Sequence, residues 1–167
     1  LSLMKMSDDA LRELITYFRA QEEPTVILLF GDHQPHLPDD FYEKLSGKNP
    51  LQFSREDTLQ TYKVPFMIWA NYDIPEQTVE CTSLNYLSSL LLQTAGMKMS
   101  DYNRYLLDLR KKLPVFSAVG YSDAEGKNYD LSNPGEKHKE LIREYEIVQY
   151  NYLFDKEHRL NKHYTVR

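Results

Sequence analysis

Apolar positions recur along this chain in two rhythms. Leu11, Leu14, Ile15 and Phe18 follow one another at helical spacing and make a single stripe. Ser7, Asp8 and Asp9 precede them as a start signal: a hydroxyl to cap free amides, then acids at the positive end of the helix dipole. Glu22, Glu23 and Pro24 end that predicted helix. Thr25–Phe30 is a continuous β-branched and aromatic run, the pattern of a strand covered on both faces, and Val64–Ala70 (VPFMIWA) is a second. Between them, residues 34–60 are polar, with prolines at 35, 38 and 50. They read as a lid-like excursion holding one short helix near Asp40–Leu45.

The helical rhythm then returns. Thr82–Ala95 sets Leu84, Leu87 and Leu91 on one side, with Gly96 as its stop. Ser100 and Asp101 open another helix that carries Tyr102, Tyr105, Leu106 and Leu109 inward, and Pro114 ends it. Val115–Val119 reads as a short strand, and residues 120–135 as a turn-rich segment. A long helix from Glu136 to Phe154 lines up Leu141, Tyr145, Val148 and Tyr152. Helix–strand–loop–strand–helix order predicts an α/β layer architecture with at least partly parallel strands.

Composition narrows the functional classes. A chain of 167 residues with 41% hydrophobic content can bury the core of one domain. A net charge of −5 argues against nucleic acid as a partner, since phosphate binding needs a basic face. The single cysteine, Cys81, excludes an internal disulfide framework and a thiolate-rich zinc site. The longest apolar runs fall well short of the ~20 residues of a membrane helix, and the start LSLMKMSDDA lacks the pattern of a signal peptide. A chain running into a helix within seven residues reads as a piece of something larger, whose targeting signals lie upstream.

The chemistry concentrates in one stretch, TVILLFGDHQPH, residues 25–36. Ligands gather at the carboxyl ends of strands in open α/β sheets, and Asp32 and His33 stand at that end of the first predicted strand. Gly31 lets the backbone turn there. A carboxylate beside an imidazole suits a divalent ion such as Mn²⁺ or Zn²⁺, although two ligands are half of a site. The competing reading is an aspartate capping a turn beside a solvated histidine. His36 is a contact for a substrate phosphate, a ligand of a second ion or, the favoured reading, a loop histidine in water. The D-H-x-x-H string lacks the two preceding histidines of a metallo-β-lactamase-type site.

Elsewhere structural readings prevail. Asp39 and Asp40 near Glu43 start a helix; Trp69 is core; Tyr102, Tyr105, Tyr145 and Tyr152 fall at helical spacing and read as packing, with Tyr121 and Tyr129 left open. His138, His158 and His163 read as solvent-facing, and Asn85 receives no role.

The string FGDH after an apolar strand resembles the lipoteichoic acid synthase-like branch of the alkaline phosphatase and sulfatase superfamily. VPFMIWAN, TSLNYLSSLLLQTAGM and YEIVQYNYLFD continue the resemblance in order. It implies that residues 1–167 are the C-terminal part of a catalytic domain, the corresponding portion of a layered α/β/α alkaline phosphatase-like sheet. It also implies Asp32 and His33 as ligands of one divalent ion, Mn²⁺ foremost, with Mg²⁺ or Zn²⁺ as alternatives. A glutamate ligand and a threonine nucleophile would lie upstream, so no catalytic nucleophile is expected in this chain and the piece alone should be inactive.

The activity implied is phosphoglycerol transfer from a lipid donor to a cell-envelope polymer. The substrate would be a phospholipid head group or a glycerol-phosphate polymer. The parent protein would be anchored by upstream membrane helices with its catalytic domain outside the cell, the piece itself being soluble. Gln34–Pro35 departs from the Tyr-Gly that follows this motif in well-known synthases. The alternatives are a sulfatase or phosphodiesterase of the same fold, with water as acceptor, and a non-catalytic binding module. Exposed strand edges predict a homo-oligomer of the piece.

Overall fold

The computed structural model describes residues 2–155 and 157–166, and it is α/β. Helix α1 spans Ser2–Arg19, so Ser7 lies inside it and does not cap it. Lys5–Asp9 at 3.0 Å and Arg12–Asp8 at 2.9 Å, both i,i+4 pairs, lace its polar face. Strands β1 (Val26–Phe30) and β2 (Phe66–Ala70) pair antiparallel, from Val26 opposite Ala70 to Phe30 opposite Phe66. The partly parallel sheet expected from element order is not found: every strand pair among the described residues is antiparallel. The reason is local. The amide of Gly31 donates to the carbonyl of Pro65 at 3.0 Å, so residues 31–65 turn back as the head of a wide hairpin instead of crossing over a sheet face.

Nor are these strands covered on both faces. Leu29 and Phe30 are 43% and 46% exposed, and Trp69 is only half-buried. The buried core lies in the second half of the chain, on Tyr86, Leu106, Leu109, Leu113, Tyr121, Ile142 and Tyr145.

Two helices there have caps that explain their bounds. Helix α4 (Leu87–Thr94) follows a 3₁₀ turn at Leu84–Tyr86. It stops at Gly96, whose φ of 67° lets the Met97 amide reach back to the Leu92 carbonyl at 2.9 Å. Helix α5 (Asp101–Lys112) opens with a capping box between Ser100 and Asn103, and the Asn103 amide also donates to the fully buried Ser89 hydroxyl.

The turn-rich segment folds into more structure than its composition suggests. Strands β3 (Val115–Ser117), β4 (Gly120–Ser122) and β5 (Asn128–Tyr129) form an antiparallel meander. Gly120, at φ 147°, is required because a Cβ there would stand 2.7 Å from the Tyr129 carbonyl oxygen. Asp123, 4% exposed, organises the second turn. Its Oδ1 accepts the amides of Glu125 and Lys127, and its Oδ2 accepts the Tyr129 hydroxyl at 2.8 Å. Burial pushes the Asp123 carboxyl up, but the Tyr129 hydroxyl and these amides outweigh it and hold it below the usual carboxylate range. Tyr129 in turn is pushed up to about 12, chiefly by its bond to Asp123.

Helix α6 (Glu136–Leu153) packs Ile142 and Tyr145 into the core, as its apolar spacing implies for Tyr145. His138, read from sequence as solvent-facing, is 3% exposed and T-shaped against Tyr121 and Tyr129. The Tyr121 hydroxyl oxygen accepts the Gly135 amide at 3.1 Å and is hydrogen-bonded to His138 Nδ1, 3.2 Å away. The polar neighbours of His138 in sequence hid this, because an imidazole with a buried hydroxyl partner can enter a core. His158 is exposed as expected, while His163 meets Asp101 at 2.8 Å.

Tyr121→Phe leaves the Gly135 amide and His138 Nδ1 without their shared partner. It is expected to destabilise the chain by about 1–3 kcal/mol, read as a lowered Tm with secondary structure retained. An unchanged Tm would refute the bond as a stabilising contact.

Candidate metal centre at the end of the first strand

The Asp32–His33 pair is placed by steric fit and by a loop tied down at its base. Gly31 does not adopt a left-handed conformation. A Cβ on Gly31 would stand 2.9 Å from Val64 Cβ, so the glycine lets β1 and the segment entering β2 approach closely. Beyond it, Asp32 Oδ1 accepts the His33 amide at 2.8 Å. That bond turns Oδ2 toward the imidazole, where it lies 3.5 Å from His33 Nε2.

The tautomer of His33 follows from its other nitrogen. Nδ1 lies 2.9 Å from the backbone carbonyl of Gln34, which can only accept, so Nδ1 donates there and, in the neutral ring, Nε2 presents a lone pair. Two lone-pair atoms facing each other at this distance can share a cation, either a proton or a metal ion. Two ligands about 2.1 Å from one ion at right or tetrahedral angles are themselves about 3.0–3.4 Å apart, close to the separation seen. The side chains of His33 and Asp32 are 78% and 83% exposed, so an ion can reach both. The donor chemistry therefore fits part of a divalent-metal site. Among the described residues no group of three or more His, Cys, Asp and Glu side chains could hold a metal ion.

The excursion after the pair contains more than the single helix expected. Helix α2 (Asp39–Ser46) is that helix, with Asp39 and Asp40 in its first turn. A 3₁₀ turn at Pro50–Gln52 and helix α3 (Arg55–Thr61) follow. The reciprocal capping box of Ser54 and Asp57 starts α3, and S-x-x-D was visible in the sequence as its signature. The Asp57 carboxyl is lowered to about 2, first by Lys48 at 2.7 Å and then by Ser54. Arg55 latches the excursion to the C-terminal meander, donating to the Val119 carbonyl at 3.1 Å and pairing with Asp130. His36 stands exposed, and its ring makes no hydrogen bond among the described residues.

Asp32 lines an open cleft of about 2060 Å³, as do Lys63, Arg110 and Asn85. Asn85 donates to the Tyr145 hydroxyl at 3.0 Å, which ties the turn before α4 to α6, while its buried Oδ1 has no partner among the described residues. Sequence reading missed this role and that of Gln34, described below, because both bonds join residues far apart in the chain. Cys81 is half-buried and free.

Comparison with known proteins gives three likenesses. A sulfatase family profile matches residues 1–97, the half that carries the hairpin and the Asp32–His33 pair. A protein of Rhizobium meliloti (strain 1021), named for cyclic beta-1,2-glucan modification, is 25% identical over 158 residues, covering 92% of this chain. The phosphoglycerol transferase GacH of Streptococcus pyogenes, solved in complex with sn-glycerol-1-phosphate, shares the fold. Its TM-score is 0.64 at 15% identity, over 96% of this chain. The chain spans 24% of the Rhizobium protein and 36% of the streptococcal one.

Gly31→Ala is expected to cost about 1–3 kcal/mol through overpacking on Val64, and the double variant with Val64→Ala to recover most of it. Thermal unfolding of the four proteins checks this, and strict additivity would sink the contact. Asp57 gives a pH signature. Its depressed pKa contributes stability present above about 3.8, the ordinary value for an aspartate, and lost as pH falls toward about 2. The protection of the Ser54 and Asp57 amides, corrected for intrinsic exchange, should therefore fall over that window in the native protein, and the loss should begin at higher pH in Lys48→Met.

Proposed function

Because the chain belongs to the sulfatase family, we propose that it is the C-terminal part of an extracytoplasmic, metal-dependent phosphotransferase that moves phosphoglycerol from a lipid donor to a cell-envelope polymer. The observation that carries this reading is the meeting of Asp32 Oδ2 and His33 Nε2 at 3.5 Å, with the ring's other nitrogen already engaged. These two side chains would hold a divalent ion, Mn²⁺ foremost, together with donors outside these 167 residues. When bound, such an ion supplies the positive charge that activates a hydroxyl nucleophile and neutralises the attacked phosphoryl group.

The chain's own contribution is presentation of the pair. Gly31 brings the motif against Val64, Asp32 Oδ1 holds the following amide, and the Gln34 carbonyl keeps the proton on Nδ1 so that Nε2 stays free. Five of its eight threonines are poor candidates for the nucleophile. Those at 16, 25, 58, 61 and 165 give their hydroxyl protons to carbonyls two to four residues back in the chain. The nucleophile is assigned, as the family resemblance implies, to a threonine of the parent protein beyond this chain. So is the membrane anchor, since no described helix is long and apolar enough to cross a membrane. His36 is kept as the candidate contact for a substrate phosphate. The glycan in the Rhizobium protein's name and the glycerol phosphate bound by the streptococcal enzyme support an acceptor and a transferred group of these classes.

The test uses the parent protein and its Asp32→Ala variant, with phosphatidylglycerol vesicles and a glycan acceptor. Transfer should fall about 100-fold or more in the variant, because the ion is worth several kcal/mol in the transition state, and metal content should fall with it. Equal metal in the two proteins would refute Asp32 as a ligand. Free glycerol phosphate released without labelled acceptor would make the protein a hydrolase.

A further inference from the structure

The geometry points to Gln34 as a positioning residue of the metal centre, acting on His33 through its backbone and on the excursion through its side chain. Its carbonyl oxygen accepts from His33 Nδ1 at 2.9 Å and so selects the tautomer that leaves Nε2 free. Its side-chain Nε2 donates to the carbonyls of Gln60 at 3.1 Å and Lys63 at 2.6 Å. The Gln60 carbonyl lies in the last turn of α3, where it also accepts the Lys63 amide at 3.2 Å, and Lys63 stands two residues beyond the helix. One amide with two protons therefore meets two acceptors 26 and 29 residues away, closing the base of the excursion.

Pro35 adds to the effect, since the residue before a proline is held in extended backbone. The result is a carbonyl fixed in place from both sides. Without the side-chain anchor the carbonyl is free to turn from the ring, and the imidazole then samples both tautomers. The chemistry of the anchor is also specific: it must donate twice. Glutamate at this position would set a carboxylate against two carbonyl oxygens, whereas methionine would merely remove the bonds.

This inference rests on reading Asp32 and His33 as ligands, and the experiment separates the two. The 167-residue chain and its Gln34→Met, Gln34→Glu and Asp32→Ala variants are labelled with ¹⁵N. The His33 ring nitrogens are recorded at pH 8, where histidine is largely neutral. Mn²⁺ is then titrated while the broadening of His33 signals is followed. The native chain should show its proton on Nδ1, and Q34M should lose that preference. The half-broadening Mn²⁺ concentration should rise about ten-fold in Q34M, the scale expected for an outer-shell partner, and further in Q34E.

Thermal unfolding within a few degrees of the native chain is the control, and Q34A replaces any variant that fails it. A native tautomer and native Mn²⁺ titration in Q34M would overturn the proposal while leaving the metal reading intact. If the native chain titrates no better than D32A, the pair does not hold Mn²⁺ without the donors outside these 167 residues. The tautomer alone then decides: its loss in Q34M supports the positioning role, and its retention overturns it.

Discussion

The side-chain amide of Asn71 holds together everything that presents the motif. Its Oδ1 accepts the Thr25 amide at 2.8 Å, and its Nδ2 lies 2.9–3.1 Å from the carbonyls of Phe18, Gln21 and Glu23. Its backbone amide donates to Thr25 at 3.1 Å. One residue thus ends α1, starts β1 and closes the far end of the hairpin. Strand register follows from that closure, and a slip of one position would turn every side chain of β1 to the other face. The opposite end of the ladder, where Gly31 meets Pro65 and Val64, inherits its alignment from this clamp.

Much of the fold was legible because it is written in local signals. The runs before FGDH and in VPFMIWA gave two strands within two residues of their bounds, and Ser100 and Gly96 marked helix ends that the structure keeps. What was not legible depends on partners far away in the chain. A β-rich run cannot say whether its neighbour is parallel, and the antiparallel pairing here is set by where a 35-residue excursion returns. Nor can an apolar run say what covers it, and these strands are half-exposed. His138 misled for the same reason, since its burial depends on a hydroxyl seventeen residues earlier.

The site divides along the same line. The donor types and their adjacency are properties of two consecutive letters, and the family profile spans them. The orientation that makes them usable is tertiary: a valine against a glycine, a carbonyl against an imidazole nitrogen, a side-chain amide across the base of a loop. Gln34 and Pro35 stood out in sequence only as a departure from the related pattern. In the structure Gln34 has physical work of its own, so a different dipeptide after the motif need not weaken the motif.

The Arg55 latch carries a consequence for the medium in which the protein works. Arg55 and Asp130 are 40% and 42% exposed, so their attraction acts largely through water. Pairs of this kind weaken as ionic strength rises, with a screening length of about 8 Å at physiological salt. The buried core, on tyrosines and leucines elsewhere, has no such sensitivity. Salt therefore tunes how firmly the excursion beside Asp32 and His33 is moored, while leaving the folded scaffold beneath it unchanged.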